Sequence, residues 1–395
     1  MTLAELALTL ALLGGLGLVA SRFGLSAIPA YLLAGLLLGP NEPSQLALVE
    51  PSEVTEFVAQ LGIAFLLFFL GLEFTIGRVL RSRRHALSGG MIDFAVNAGL
   101  GLLVGVAAFG LDFAALILAG GIYVSSSAIT VKGLIDFRRL ADDETDLILA
   151  ILVVEDLVIA LVLGFASGGG GALSDTLLIV AKAVGFIAVA LAVSHWLRDV
   201  LDRFLDWLPR EFFLLAVVAF VVGMGAIAQE LKLSEAIGAL MAGVVLSETS
   251  VREEIEERFF SWRDVFAALF FFVFGLSIDV AAIDDVGWIL AGAVLVTMSG
   301  KIGSTMLAGR VGGFTRRQSF NAGVALIAHG EFTVILAQLA SENGAISSAR
   351  QAELVAFAGL YVLITATLGL ALMKESKLLG RRLFATPGAP ASDAA

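Results

Sequence analysis

Thirteen apolar stretches follow one another along this chain, and most are long enough to cross a lipid bilayer, which takes about 20 helical residues. Hydrophobic residues make up 58% of the 395 residues and charged residues only 15%, so the apolar surface exceeds what one water-soluble core would bury. Hydrocarbon cannot satisfy backbone amides, and the stretches lack the alternation of barrel strands, so each is expected to be helical. We predict an all-α polytopic membrane protein. The predicted spans cover residues 3–20, 26–39, 55–76, 87–109, 113–135, 146–166, 174–196, 211–229, 234–247, 261–279, 286–308, 318–341 and 352–373.

The composition argues against several other classes of protein. The chain has no cysteine and only three histidines, which disfavours disulfides, thiolate metal sites and a histidine metal cage, and we predict no cofactor. A formal net charge of −11 disfavours nucleic acid as a partner. The first apolar stretch has neither a preceding basic segment nor a small-residue cleavage site, so we expect a retained span.

The basic residues predict the orientation of the chain. If the spans alternate, all of the 25 Lys and Arg except Lys182, Lys232, Lys301 and Arg350 fall on one side or at its edge. Cytoplasmic loops are enriched in Lys and Arg, so this side is predicted to be cytoplasmic. The N-terminus is then outside, and residues 375–395 form a short cytoplasmic tail.

A weak internal repeat relates the two halves of the chain. Residues 68–73 (FFLGLE) resemble residues 272–277 (FVFGLS) at a separation of 204, and residues 34–38 (AGLLL) resemble residues 242–246 (AGVVL) at a separation of 208. With span 7 as a connector, spans 1–6 and 8–13 begin on opposite sides of the membrane. Inverted repeats of this kind form substrate sites near the bilayer midplane from broken helices.

Two adjacent carboxylates, Glu155 and Asp156, lie near the middle of span 6. An ionised side chain at the centre of a membrane-spanning helix costs roughly 2.5–3.5 kcal/mol, so acids there are rare and mark ion or proton pathways. Neighbouring helix residues point about a quarter turn apart, which lets one carboxylate pair inside the protein while the other faces a cavity. We predict that this pair is the functional centre.

Spans 5 and 12 contain residues that weaken a helix in mid-membrane. The polar residues of span 5 are Ser125, Ser126, Ser127 and Thr130. In span 12, Gly330 lies 204 residues after Ser126, between His329 and Glu331. Small residues can serve tight helix packing. Alternatively, both segments are unwound, and their carbonyl and hydroxyl oxygens coordinate a hard cation. His329 is either a pH sensor or a hydrogen-bonding strut.

Lys301 lies midway along span 11, too deep to reach the headgroups comfortably, and therefore needs a buried anionic partner. Glu155 and Asp156 are the candidates. A static clamp between two helices is the alternative explanation of such a pair. Asp93 and Asn97 share one face of span 4, and Asn97 occupies the repeat position of Lys301, so these two residues either lie near the same centre or join helices by hydrogen bonds.

Six motifs resemble those of the monovalent cation:proton antiporter-2 family, the Kef-type and NapA-type antiporters. They are residues 31–40 (YLLAGLLLGP), 66–73 (LLFFLGLE), 125–129 (SSSAI), 154–157 (VEDL), 272–276 (FVFGL) and 329–332 (HGEF). The resemblance implies the sodium/proton antiporter fold, in which two discontinuous helices cross. It also implies a dimerisation scaffold of spans 1–3 and 7–10. The core, spans 4–6 (about 87–166) and 11–13 (about 286–373), would move like an elevator.

By this resemblance Asp156 is the essential ion-binding and proton-binding carboxylate, and Lys301 is the basic partner of Glu155. The chain is then a homodimeric antiporter rather than an enzyme, in the plasma membrane of a prokaryote and in contact with its lipids. It exchanges Na⁺, or alternatively K⁺ as in Kef-type proteins, for protons. Relatives commonly carry Asp, Asn or Gln where this chain has Glu155, which leaves the coupling stoichiometry open. The sequence shows no nucleotide-binding segment after span 13, so nucleotide gating is not expected.

Three hypotheses for the ionisable cluster stay open at this point. Three titratable groups, Glu155, Asp156 and Lys301, allow two protons to exchange for one cation, which makes transport electrogenic. A cation channel needs a continuous polar pathway, whereas the sequence shows one compact cluster. An intramembrane hydrolase needs two facing carboxylates from different segments, which adjacent residues of one helix do not supply.

Overall fold

The computed structural model describes residues 3–22, 27–41, 48–49, 51–73, 86–168, 173–207, 209–231, 233, 235–283, 287–342, 344 and 346–384. Over these residues the fold is helical, without strands. The helices are α1 (Leu3–Arg22), α2 (Ala27–Leu38), α3 (Glu53–Glu73), α4 (Met91–Phe109), α5a (Phe113–Tyr123), α5b (Ser127–Asp136), α6 (Glu144–Gly168), α7 (Leu173–Trp196), α8 (Arg210–Glu230), α9 (Glu235–Leu246), α10 (Arg252–Ser277), α11 (Gly287–Gly312), α12a (Arg316–Ala325), α12b (Glu331–Glu342) and α13 (Ser348–Leu383). A π-helical turn (Ala86–Gly90) precedes α4, a linking helix (Arg198–Trp207) follows α7, and a 3₁₀ turn (Val280–Ile283) follows α10.

The predicted order of helical spans is confirmed. Among the described residues, eight segments are long and apolar enough to cross a membrane, with α5a and α5b together counted as one of them. A ninth is α7 taken with the linking helix, from which it is bent by 69°. Four shorter apolar helices, α1, α2, α9 and α12b, occupy other predicted positions.

Two helices extend beyond the predicted spans. α10 begins at Arg252 instead of residue 261, because its first turns are stabilised by pairs four residues apart, such as Arg252 Nε to Glu256 Oε1 at 2.7 Å. α13 continues to Leu383, ten residues past the predicted end. Hydropathy marks where a helix leaves the hydrocarbon, and a helix continues in water when its residues favour it.

Close glycine contacts show that the internal repeat is structural. α3 packs on α9 so closely that a Cβ added to Gly71 would lie 2.8 Å from the Cα of Gly243. α2 packs on α10 in the same way, with an added Cβ on Gly35 lying 2.7 Å from the Cα of Gly275. These are the glycines that the two repeat offsets match, since Gly35 corresponds to Gly243 and Gly71 to Gly275. One contact is therefore the repeat image of the other.

The same relation holds in the half of the fold that contains the broken helices. Gly101 of α4 faces Ala119 of α5a, and 204 residues later Thr305 of α11 faces Gly323 of α12a. Small residues at these contacts let the helices approach closely. Both repeats thus place a broken helix against a continuous one.

The two breaks lie against each other in the middle of the fold. A Cβ on Gly330 would lie 2.6 Å from the Ser126 Oγ, so the break of α12 is seated directly on that of α5. The fold class, an inverted repeat with two crossed discontinuous helices, is confirmed.

Candidate ion and proton site

The break in α5 is built by side chains that replace helical hydrogen bonds. After Tyr123 the backbone turns to an extended conformation, and Ser126 caps α5b by accepting a hydrogen bond from Ile129 N. The backbone N–H of Ser126 donates to Ala328 O in the other break at 2.9 Å. Each break therefore satisfies backbone groups of the other, as unwound helices at membrane depth require.

Glu155 of α6 completes the break in α5. Its Oε2 accepts from the Ser125 N–H at 2.7 Å, and its Oε1 lies 3.1 Å from the Ser125 hydroxyl. The Glu155 side chain is fully buried. This carboxylate therefore holds one of the amides that the helix break leaves without a helical partner.

Lys301 lies between two buried carboxylates. Its Nζ is 2.6 Å from Glu155 Oε1 and 3.0 Å from Asp93 Oδ2, and it donates to the carbonyl oxygen of Tyr123 at 2.7 Å. All three charged side chains are inaccessible to solvent. Removing Lys301 would leave two buried carboxylates without compensation, whereas removing either acid would still leave one ion pair.

Sequence reasoning did not place Asp93 on Lys301. The signal was present, because Asp93 precedes Asn97 by one helical turn and Asn97 is the repeat equivalent of Lys301. The Asn97 amide donates to Asp93 Oδ1 at 2.7 Å and to the hydroxyl of Ser304 at 3.1 Å. Ser304 was not predicted as a site residue, since a serine one turn after Lys301 carries no distinctive signal in sequence.

Asp156 differs from its neighbour in exposure. It is half-buried, whereas Glu155 is sealed in the interior. The Ser127 hydroxyl, at the start of α5b, donates to Asp156 Oδ1 at 2.9 Å. The two adjacent carboxylates thus face different surroundings, one paired with Lys301 in the interior and the other partly exposed.

The remaining predicted site residues join the two broken helices. The Ser126 hydroxyl donates to Glu331 Oε2 at 2.9 Å, and the Thr130 hydroxyl donates to Ala325 O at 3.1 Å. The ring of His329 lies between carbonyl oxygens of both breaks, 2.8 Å from that of Ile327 and 2.9 Å from that of Ile122. This placement is that of a strut between the breaks.

The site is acidic in sum. Asp93, Glu155, Asp156 and Glu331 each contribute a carboxylate to the site, whereas Lys301 contributes a single positive charge and pairs with Asp93 and Glu155. Among the described residues, no group of three His, Cys, Asp or Glu side chains is arranged to hold a metal ion by itself. Such a site attracts a cation that brings water or shares hydroxyl and carbonyl ligands.

Crossed broken helices from inverted repeats, with a buried lysine beside carboxylates, define the class of ion-coupled secondary transporters. The sequence profile of the family described as "Sodium/hydrogen exchanger, transmembrane" matches residues 8–374. The chain belongs to this family of cation/proton antiporters and is a multi-pass membrane protein. The resemblance stated from its motifs is confirmed.

Relatives agree with this assignment, and a solved structure shares the fold. The chain is 37% identical over 387 residues to the K(+)/H(+) antiporter subunit KhtU of Bacillus subtilis, covering 96% of this chain and 94% of the relative. It is 29% identical to the Ammonium/H(+) antiporter subunit AmhT of Alkalihalophilus pseudofirmus, covering 93% and 91%. The fold matches the sodium proton antiporter MjNhaP1 of Methanocaldococcus jannaschii with a TM-score of 0.71, at 14% identity over 95% and 97% of the two chains.

Proposed function

We propose that this protein is a secondary active antiporter that exchanges K⁺ for protons across the plasma membrane of a prokaryote. The observation that carries the proposal is the contrast between Glu155, sealed against Lys301, and the half-buried Asp156 beside it. Asp156 is the carboxylate that an incoming ion can reach. K⁺ stands first because two relatives that align over more than nine-tenths of the chain are named for K⁺ and ammonium exchange.

Exchange follows from competition at one carboxylate. Asp156 binds either a proton or a cation, and the Ser127 hydroxyl that donates to Oδ1 is an oxygen ligand close to a bound cation. Loading one species expels the other, so no covalent chemistry is involved. Glu155 and Lys301 keep the break of α5 in place and supply charge nearby.

Alternating access is proposed to occur by an elevator movement. The core comprises α4–α6 and α11–α13, which contain both breaks and all the charged residues of the site. The scaffold comprises α1–α3 and α7–α10, whose repeats are joined by the glycine contacts of α2 with α10 and of α3 with α9. Movement of the core against this scaffold would carry Asp156 from one aqueous side to the other. We also propose that the scaffold forms a homodimer and that the N-terminus lies outside.

The stoichiometry proposed is two protons for one cation. Asp156 and one of the two carboxylates at Lys301 would both be protonated when the site crosses without a cation, and both would release their protons when the cation binds. Moving one elementary charge through the membrane potential is worth roughly 2.3 kcal/mol per 100 mV, so net charge transfer makes transport voltage-dependent. Current recording on a solid-supported membrane tests this, and exchange without any charge movement would contradict it.

The test of the function is Asp156→Asn in proteoliposomes with an imposed pH gradient. Addition of K⁺ should dissipate the gradient with the wild-type protein and should leave it intact with the variant. Asp146→Asn is the matched control, because Asp146 is an exposed residue at the start of the same helix. If Asp156→Asn still exchanges K⁺ for protons at the rate of the control, the assignment of the binding carboxylate is wrong.

Na⁺ is the second candidate substrate, since the family takes its description from sodium/hydrogen exchange. The same assay with Na⁺, K⁺, Li⁺ and ammonium in turn separates these cations. If the half-saturating concentration is lower for Na⁺ than for K⁺, Na⁺ rather than K⁺ is the preferred substrate.

A further inference from the structure

Tyr123 carries a buried hydroxyl that the antiport mechanism above does not use. It is the last residue of α5a, directly before the break, and only 1% of the residue is exposed. Among the described residues, three buried side chains have a polar atom without a hydrogen-bond partner, and the Tyr123 hydroxyl is one of these atoms. Buried phenol hydroxyls are normally paired, because an unsatisfied polar group keeps the full cost of losing water.

The rest of the Tyr123 residue is firmly placed in the site. Its carbonyl oxygen accepts a hydrogen bond from Lys301 Nζ, which also lies 5.4 Å from the centroid of its ring. The edge of the ring contacts Phe94 at a centroid distance of 5.3 Å. The orphan hydroxyl is therefore fixed in position by contacts along the whole residue.

The Tyr123 ring borders the ionic cluster of the site. Lys301 Nζ, 5.4 Å from the ring centroid, contacts the carboxylates of Glu155 and Asp93. Lys301 is the one basic side chain in this cluster, and it is already bound to Glu155 and Asp93. A hydroxyl at such a place has an oxygen lone pair to offer to a cation and a proton to offer to a carboxylate.

We propose that the Tyr123 hydroxyl is a further ligand of the monovalent cation carried by this protein, bound to the ion or to one of its waters. Tyr123 thus helps to set cation affinity, in addition to the carboxylate that exchanges ion and proton. This inference rests on the proposed function and adds a residue for which sequence gave no indication. The unpaired hydroxyl acquires its partner when the site is loaded with the cation.

The test is Tyr123→Phe, which removes one oxygen atom and nothing else. The half-saturating K⁺ concentration should rise about tenfold, the range expected for losing a hydrogen bond or oxygen contact to a charged group. The melting temperature of the purified variant, without K⁺, should equal or exceed that of the wild type, because the oxygen it loses has no partner in the protein. K⁺ should also raise the melting temperature of the variant by less than it raises that of the wild type, with choline at the same ionic strength as the reference.

Tyr361→Phe is the matched control. Tyr361 is also fully buried, but its hydroxyl is paired with the Thr297 hydroxyl at 2.6 Å. This variant should melt at a lower temperature and keep the wild-type K⁺ affinity. Wild-type affinity in Tyr123→Phe would overturn the proposal, and so would a loss of affinity accompanied by a lower melting temperature.

The two proposals fail in different ways. If wild-type protein shows no K⁺-driven exchange, the proposed function is wrong, and if Asp156→Asn does not abolish the exchange, the assignment of the binding carboxylate is wrong. If wild-type exchange depends on Asp156 while Tyr123→Phe binds K⁺ normally, only the role of Tyr123 is wrong.

Discussion

Replacing Lys301 by Met should destabilise the protein, and the loss should grow as the pH rises. Lys301 is the one cation between Glu155 and Asp93, with Nζ–O distances of 2.6 and 3.0 Å and no solvent access. Without it, two buried carboxylates face each other at close range. The folded variant can avoid this only by taking up a proton that the wild type does not need.

The size of the destabilisation follows from the free energy needed to bind that proton. Each pH unit above a carboxyl's ordinary pKa of about 4 costs about 1.4 kcal/mol, so the loss is about 2.8 kcal/mol at pH 6 and about 5.6 kcal/mol at pH 8. Removing one partner of a buried ion pair typically costs a similar amount, about 3–5 kcal/mol. The folded variant binds one proton more than the unfolded chain, so its stability falls as pH rises.

Thermal melting in detergent at pH 6, 7 and 8 measures this effect. The gap between wild type and Lys301→Met should widen at each step, and adding Glu155→Gln should remove the pH dependence, since one carboxylate then disappears. Lys182→Met is the control, because Lys182 lies outside the site and its Nζ donates to the carbonyl oxygen of Leu231. A gap that does not change with pH would refute the reasoning, and a variant as stable as the wild type would refute the burial of the pair.

Two further predictions concern a buried ion pair on the side that sequence predicts to be cytoplasmic, and the packing of α3 on α9. Arg139→Ala should lower the melting temperature by an amount equivalent to about 3–5 kcal/mol, because buried Arg139 pairs with buried Glu144 at 3.2 Å. The control is Arg198→Ala, which removes an exposed side chain 3.7 Å from Asp202 and should have no measurable effect. Gly71→Ala should reduce the yield of folded protein by forcing α3 from α9, whereas Gly99→Ala, with open space around it, should be neutral or slightly stabilising; equal yields would contradict the close packing of these helices.

Much of the fold could be predicted because the membrane allows few alternatives. Apolar stretches of sufficient length must be helices, so the number and order of spans followed from hydropathy alone. The breaks in α5 and α12 were also predictable, since three consecutive serines and a glycine between ionisable residues are poor helix formers in mid-membrane. The helix ends at Arg252 and Leu383 were missed, because polar turns that stay helical carry no hydropathy signal.

The pairing within the site was less predictable than its members. Glu155, Asp156 and Lys301 stood out as charges at membrane depth, but which carboxylate contacts the lysine depends on helix rotation, which sequence does not fix. Asp93 was singled out only as a neighbour of Asn97, although its carboxylate shares Lys301 with Glu155. Tyr123 was overlooked entirely, because a tyrosine in an apolar span reads as packing until its hydroxyl is seen to lack a partner.

The repeat explains why this fold carries one charged site rather than two. Backbone positions 204 residues apart are equivalent, yet the sequence fills them unequally, with Asn97 matching Lys301 and Asp93 matching Thr297. The lysine comes from one repeat and both of its carboxylates from the other, so the ionic contacts join the halves across the crossing point. Thr297, the residue that mirrors Asp93, instead makes a neutral hydrogen bond with the Tyr361 hydroxyl at 2.6 Å. Symmetry of the backbone therefore builds the crossing, and asymmetry of the side chains places one ionisable centre at it.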